Sequence, residues 1–261
     1  MPSPYRTETI PTGDTELSGM TIEFHESLSS TSDLAAVRLA SMDVAGVVIV
    51  ADSQSAGRGR FSRTWNSSPR DDLLVSIGLR PAACVATKLA MIGAVATADT
   101  VRDLTGRTVT VKWPNDVRIG GKKISGILVE LQVQEGRFRA VVGIGVNLNL
   151  DPSDFPEIAD TATSVREITG ERVDRDRALS KLMRNLDIAY TLVSRGGSVH
   201  DRWKSMLDTL GTRIEFNIHP TNESVRGVAT DVAADGGLIV RTDDGQMVTL
   251  DAGEVTSQLG G

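Results

Sequence analysis

Lys112-Trp113-Pro114-Asn115-Asp116 and, beyond the Gly120-Gly121 pair, Lys122-Lys123-Ile124-Ser125-Gly126-Ile127-Leu128-Val129-Glu130 carry the strongest fold signal in the chain. Pro114 has no N–H to give a ladder, so a strand over 108–112 must end there in a sharp turn. Residues 124–133 read as the next strand, and Glu135-Gly136 joins it to a partner over 137–147 as a hairpin.

Upstream, Val47-Val48-Ile49-Val50-Ala51 is a short continuous apolar run, as expected of a strand buried on both faces, and 73–79 reads as another. A first short strand falls at 21–25, and the hydroxyl-rich run Ser29-Ser30-Thr31-Ser32 caps a helix that continues through Asp33-Leu34-Ala35-Ala36. An alanine-rich helix is expected over 87–104. A second, over 174–194, places Leu179, Leu182, Met183, Leu186, Tyr190 and Val193 on one apolar stripe, which reads as core. Beyond Gly211, short strands at 213–216, 224–232, 238–241 and 247–250 alternate with Gly, Asp and Asn turns, the pattern of a small β-barrel of about fifty residues. The expected organisation is a flexible tail over 1–20, a catalytic unit over 21–210 and the small β unit over 211–261.

Bulk composition excludes several classes. A net charge of −6 argues against general nucleic-acid binding, which needs a basic face. Cys84 is the only cysteine, so no intrachain disulfide can form and a reducing, cytoplasmic setting is expected. No apolar run approaches the roughly 20 residues of a membrane helix, and the polar N-terminus lacks a signal-peptide core. Three scattered histidines make no zinc site.

Against this acidic background, Gly57-Arg58-Gly59-Arg60-Phe61-Ser62-Arg63 sets three arginines on glycine-loosened backbone. Alone it reads equally as a solvated loop or as a clamp closing over a carboxylate or phosphate. The turn at Pro114 collects a lysine, an indole, an amide and a carboxylate. Asn115 can meet a heterocycle edge, and Asp116 can hold a magnesium ion or a ribose hydroxyl. Lys122 and Lys123 point to opposite faces of a regular strand, so one can face a pocket. Gly126 admits close approach of a ligand or a second backbone. Gly143-Ile144-Gly145-Val146-Asn147 lacks the third glycine and the following helix of a dinucleotide fingerprint, and no Walker pattern is present.

In this order the segments resemble the biotin protein ligases. The likeness rests on Ser30-Thr31-Ser32, Gln54 to Arg60 with Trp65, Lys112 to Asp116, Lys123 to Glu130 and Gly145-Val146-Asn147, and it extends over residues 21–261. It implies an α+β fold: a class II aminoacyl-tRNA synthetase-like core with a mixed sheet flanked by helices, plus a C-terminal SH3-like barrel closed near Gly253-Glu254-Val255. It also implies an enzyme that joins biotin to ATP, giving biotinyl-5′-AMP and pyrophosphate, and then passes biotin to one lysine of a biotin carboxyl carrier domain.

By the same resemblance, Ser30, Thr31, Ser32 and Gln54 bind the biotin ring, with Gly57, Arg58 and Gly126 nearby. Arg60 and Lys123 are the catalytic pair on carboxylate and phosphate. Arg58, Arg63, Lys112, Asn115 and Asn147 serve ATP and the adenylate, Trp65 covers the adenine, and Asp116 is the Mg²⁺ carboxylate. The chain departs from the family's Ser-Thr-Asn at Ser32 and from its arginine loop at Phe61-Ser62. The twenty residues before Thr21 are too few for the DNA-binding winged helix of many relatives, so a monofunctional ligase is expected, with no nucleic-acid or membrane partner, as monomer or homodimer. The competing readings are a lipoate ligase or octanoyl transferase of the same superfamily, a non-catalytic biotin-binding module, and a carrier-docking subunit.

Overall fold

The structure, a computed structural model, describes the chain except residues 1, 12, 42–44, 61–62, 135, 219–222, 252–253 and 258–261. Phe61, Ser62 and Gly253, singled out above, lie outside the described residues.

The elements run β1 (Arg6–Thr9), β2 (Thr21–Leu28), α1 (Thr31–Ser41), β3 (Gly46–Gln54), β4 (Leu73–Leu79), α2 (Ala83–Ala86), α3 (Leu89–Thr105), β5 (Thr110–Lys112), β6 (Asp116–Ile119), β7 (Lys122–Gln134), β8 (Arg137–Val146), α4 (Val165–Thr169), α5 (Arg175–Ser194), α6 (His200–Met206), β9 (Arg213–Ile218), β10 (Glu223–Val232), β11 (Leu238–Thr242), β12 (Met247–Leu250) and β13 (Glu254–Ser257). The first eight strands form one mixed sheet in the order β1-β2-β3-β4-β8-β7-β6-β5. Only β2 and β3 run parallel, and α1 makes the crossover between them.

The sheet sorts its side chains by parity. Odd positions of β4 (Leu73, Val75, Ile77) and even positions of β8 (Val142, Ile144, Val146) enter the large core shared with α3 and α5. The opposite face packs against α1 through Leu34, Ala35 and Leu39, with Val47, Ile49 and Val141 from the sheet. Both faces of β3 and β4 are therefore covered, which is why their sequences are unbroken apolar runs. Leu182 and Leu186 of the amphipathic stripe are buried in the same core. No helix of the described residues is long and apolar enough to cross a membrane.

The expected irregular tail is corrected. Residues 6–9 add an antiparallel edge strand to β2, pairing Arg6 with Phe24 and Thr9 with Thr21. The Arg6 guanidinium lies 3.7 Å from the centre of the Phe24 ring and bonds both oxygens of Asp176 at 2.8 Å. Leu17 and Met20, later in the same segment, are buried. An Arg-Thr-Glu-Thr strand has no apolar alternation, so only its ladder and these long-range anchors reveal it. Other short elements also escape the sequence: α4, α6 and β6 are too brief to show a period.

The last five strands make a separate antiparallel sheet, β12-β11-β10-β9-β13. Gly227 of β10 is required there, because a Cβ would sit 2.2 Å from the Arg241 carbonyl oxygen. This sheet meets the larger one through Trp113. The indole is buried, its Nε1 donates to the Gly236 carbonyl at 2.8 Å, and its ring packs against Phe216 at 6.0 Å between centroids. Trp113 borders the cavity with the rest of its turn, as expected, and its buried indole serves in addition as the joint between the two sheets.

Candidate active site

A cavity of about 540 Å³ opens on the α1 side of the large sheet, at the helix N-terminus. The sequence builds it by leaving that face free of bulk. Alternate β8 residues Gly143 and Gly145 point into it. A Cβ at 143 would lie 3.0 Å from Ser32 Oγ, and one at 145 would lie 2.4 Å from the Trp65 ring. The Gly-x-Gly-x-Asn run is therefore a strand face kept bare for a ring, with Asn147 at its end.

The cavity has two chemically distinct ends. One is neutral and hydroxyl-rich. Ser30 Oγ accepts from Ser32 N at 3.2 Å, an N-cap geometry for α1. Gln54 Oε1 accepts from Thr31 N at 2.7 Å and from Thr31 Oγ1 at 3.0 Å. The helix starts at Thr31, two residues before the expected Asp33, so Thr31 and Ser32 lie in its first turn with their hydroxyls at the pocket.

The other end is cationic. Arg60, Arg63, Lys112, Arg118 and Lys123 line the cavity beside two carboxylates, Asp116 and Glu157, among the described residues, while Arg58 is paired with Asp33 and Glu130, which lie outside that lining. In a chain of net charge −6 this concentrates positive potential where an anion would sit. Lys123 Nζ lies 2.6 Å from Asp116 Oδ1 and 5.5 Å from the centre of the Trp65 ring. Its backbone is held on both sides, Lys123 N donating to Thr161 O and Thr163 N to Lys123 O, each at 2.8 Å.

Lys123 reaches the cavity because β7 is bulged. Arg118 pairs with Lys123 but Val117 with Ser125, so Ile124 is the extra residue. Strict alternation would put Lys123 on the core face with Ile127 and Val129. The bulge sends Ile124 into the core and Lys123 to the pocket. Lys122 lies outside the pocket lining.

Asn115 docks its turn onto β7: its Nδ2 donates to Ile127 O, and Ile127 N donates back to Asn115 O at 3.1 Å. Asn147 is buried and donates from Nδ2 to Thr163 O at 3.0 Å. Trp65 lies across Gly145 and Gly126, with its Nε1 buried and unpartnered among the described residues. Arg58 sits at the rim, paired with Asp33 at 2.6 Å and Glu130 at 3.5 Å. Gly57 is not in the lining. It packs behind it, where a Cβ would be 3.1 Å from Gln54 Nε2. Every other residue nominated from the sequence lines the cavity: Ser30, Thr31, Ser32, Gln54, Arg58, Arg60, Arg63, Trp65, Lys112, Asn115, Asp116, Lys123, Gly126 and Asn147.

Several lining residues were not nominated. Ser76 is a lone hydroxyl inside the apolar run of β4, a signal that was available. Ile158, Thr161 and Ala162 come from a segment without pattern, brought in by the parallel bridge between Ala162 and Lys123.

Residues 209–256 match the Biotin protein ligase C terminal domain, and residues 24–147 match the Biotin/lipoate A/B protein ligase family. The bifunctional ligase/repressor BirA of Bacillus subtilis is 34% identical over 237 residues, covering 88% of this chain and 72% of that protein. The chain belongs to the biotin protein ligase family. The biotin–[acetyl-CoA-carboxylase] ligase of Mycobacterium tuberculosis is 30% identical over 236 residues, 87% of this chain and 85% of its own length. Among solved structures, biotin protein ligase from Aquifex aeolicus in complex with biotin and ATP superposes with a TM-score of 0.75 at 27% identity, covering 91% of this chain and 98% of that one.

Asp72, at the entry to β4, supports the site of this family member from behind. It is fully buried, and its Oδ1 accepts from Leu148 N at 2.9 Å and Leu150 N at 3.2 Å, holding the chain just after Asn147. Its Oδ2 has no hydrogen-bond partner among the described residues. Burial pushes the carboxyl up to about 6, against the pull of the backbone donors. A pKa raised in the fold means the native state binds the proton more tightly than the unfolded chain. The group's contribution to stability is therefore fully present below its ordinary 3.8 and lost as pH rises through about 6. Over that window urea unfolding should show a loss on the order of 3 kcal/mol from this group. Asp72→Asn, whose amide oxygen can accept the same two N–H groups, should lack that component. An unchanged pH profile in the mutant would remove Asp72 as its source.

Proposed function

We propose that the protein activates biotin as biotinyl-5′-AMP and then transfers the biotinyl group to a lysine of a biotin carboxyl carrier domain. The observation that carries this reading is the two-ended cavity: a neutral hydroxyl and amide floor suited to a polar ring, continuous with a cationic end suited to carboxylate and triphosphate. In the first step a biotin carboxylate oxygen attacks the α-phosphorus and pyrophosphate leaves. In the second, the neutral amine of the carrier lysine attacks the acyl carbon, AMP leaves, and the amine gives up a proton.

Both reactants of the first step are anions that repel each other. Lys123 and Arg60 offset that repulsion and align the groups, so positioning and electrostatics supply most of the acceleration. No enzyme nucleophile is required. Ser30, Thr31, Ser32 and Gln54 hold the ring, Gly57 gives the Gln54 amide its room, and Gly126 leaves space over β7. Arg58, Arg63, Lys112, Asn115 and Asn147 serve the nucleotide, and Trp65 offers an aromatic face to adenine.

Among the described residues no cluster of three or more metal-ligating side chains occurs. The site instead fits a magnesium ion carried by the triphosphate, which needs only one or two protein carboxylates. Asp116 is the proposed ligand, with Glu157 the other carboxylate of the lining. Bound there, the ion would neutralise phosphate charge. The large sheet with its helices supports assignment to the class II aminoacyl-tRNA synthetase-like core, and the C-terminal sheet to the SH3-like barrel. The single cysteine fits a reducing cytoplasm.

The test is adenylate formation read by mass spectrometry, with purified protein, ATP, Mg²⁺ and either biotin or lipoate. Biotinyl-adenylate is the expected product. Its absence overturns the proposal, and lipoyl-adenylate alone would move the protein to the lipoate branch of the superfamily.

A further inference from the structure

We infer that Ser76 is a positioning residue that fixes the donor and acceptor polarity of the pocket floor, and through it the preference for a ureido ring. The inference rests on the biotin reading above and follows from hydrogen-bond directions. Thr31 N can only donate, so the Gln54 atom 2.7 Å away is the carbonyl oxygen, and the amide orientation is set. That oxygen can only accept, so the Thr31 hydroxyl, 3.0 Å away, commits its single proton there. Ser76 Oγ lies 2.7 Å from Thr31 Oγ1, which has no proton left, so Ser76 donates to Thr31. Ser32 Oγ lies 3.0 Å from Ser76 Oγ, whose proton is now committed, so Ser32 donates to Ser76. The relay therefore runs in one direction, Ser32 to Ser76 to Thr31 to Gln54. Ser76 is fully buried at its centre.

The relay decides what the floor offers a ligand. Any further bond made by the Ser32 or Thr31 hydroxyl oxygens must be accepted, since both protons are committed. Gln54 has only its Nε2 left to offer, which donates. Ser30 Oγ accepts from Ser32 N and keeps its own proton to donate. The floor thus sets acceptors on α1 beside donors from Gln54 and Ser30. A cyclic urea, with N–H groups flanking a carbonyl oxygen, satisfies both sets. An alkyl chain satisfies neither and leaves buried polar groups unpaired. Without the Ser76 hydroxyl, the Ser32 proton has no fixed acceptor, and Ser32 ceases to be a committed acceptor for a ring N–H.

The test is steady-state adenylate synthesis by Ser76→Ala with biotin, desthiobiotin (which keeps the ureido ring) and octanoate. KM for biotin and desthiobiotin should each rise about tenfold, the factor for one lost hydrogen bond. The KM for ATP, kcat at saturating biotin and the melting temperature should hold, because the ring is remote from the reacting atoms. Preference for biotin over octanoate should shrink by the same factor. Ser32→Ala and Ser32→Ala/Ser76→Ala should be equally impaired, since both end the same relay. Should Ser76→Ala fail to fold, Ser76→Cys, a weaker donor of similar shape, should give an intermediate rise. An unchanged biotin KM, a parallel rise in ATP KM, or additive double-mutant losses would overturn the Ser76 inference alone. A wild-type protein that makes no biotinyl-adenylate overturns it together with the proposed function.

Discussion

Lys123→Ala is expected to lower biotinyl-adenylate synthesis by roughly 10²–10³-fold, the scale for removing one preorganised charge-stabilising group. The ammonium sits at the cationic end of the cavity, 2.6 Å from Asp116. Truncation would remove a cation from the place where the two anions must meet, which opposes the reaction. The fold should tolerate it. The backbone of Lys123 is bonded through Thr161 and Thr163, independently of the side chain. The side chain is also about one-third exposed, and partly exposed ion pairs contribute little to stability. Pyrophosphate exchange and a melting curve would be measured on the same preparation. Activity within threefold of wild type would take Lys123 out of the chemistry. A collapse of the melting temperature would make its role structural.

The second large effect is expected at Trp113. Trp113→Ala should destabilise the protein by about 3–5 kcal/mol, the usual range for emptying a buried aromatic site. It removes the packing on Phe216 and leaves the Gly236 carbonyl without its 2.8 Å donor. Trp113 N also donates to Thr209 Oγ1 at 2.9 Å, a backbone bond that the substitution keeps. Because Lys112, Pro114, Asn115 and Asp116 all border the cavity, loosening their shared anchor should raise the KM for ATP more than that for biotin. Trp113→Phe retains most of the packing and should cost about 1 kcal/mol, for the lost hydrogen bond. Urea unfolding and the two Michaelis constants check both statements. A stable Trp113→Ala with unaltered ATP dependence would show that the joint between the sheets does not support the nucleotide end.

The long elements were legible because their periods are strong. Strand β4 occupies the expected 73–79, and α5 begins one residue from its expected start. Most nominated residues converge on one cavity although they lie up to 117 positions apart, from Ser30 to Asn147. What stayed hidden has little local signature. The β1 strand is anchored by its ladder to β2 and by the Arg6–Asp176 pair, neither visible in Arg-Thr-Glu-Thr. Trp113 reads as a turn residue until the second sheet is placed against it. Ser76 looks like a lapse in an apolar strand until α1 brings two more hydroxyls to it.

The chain by itself determined the residue types of the site: hydroxyls at a helix start, arginines on glycines, a proline-stopped turn, and bare glycines on β8. Local conformational preference and side-chain chemistry suffice for those. The tertiary structure alone decided which way they face. Strict alternation along β7 would bury Lys123 with Ile127 and Val129. One extra residue at Ile124, set by pairing with β6, turns the ammonium into the cavity and the isoleucine into the core. A one-residue shift of register exchanges the two faces of a strand, and only the pairing of neighbouring strands selects it.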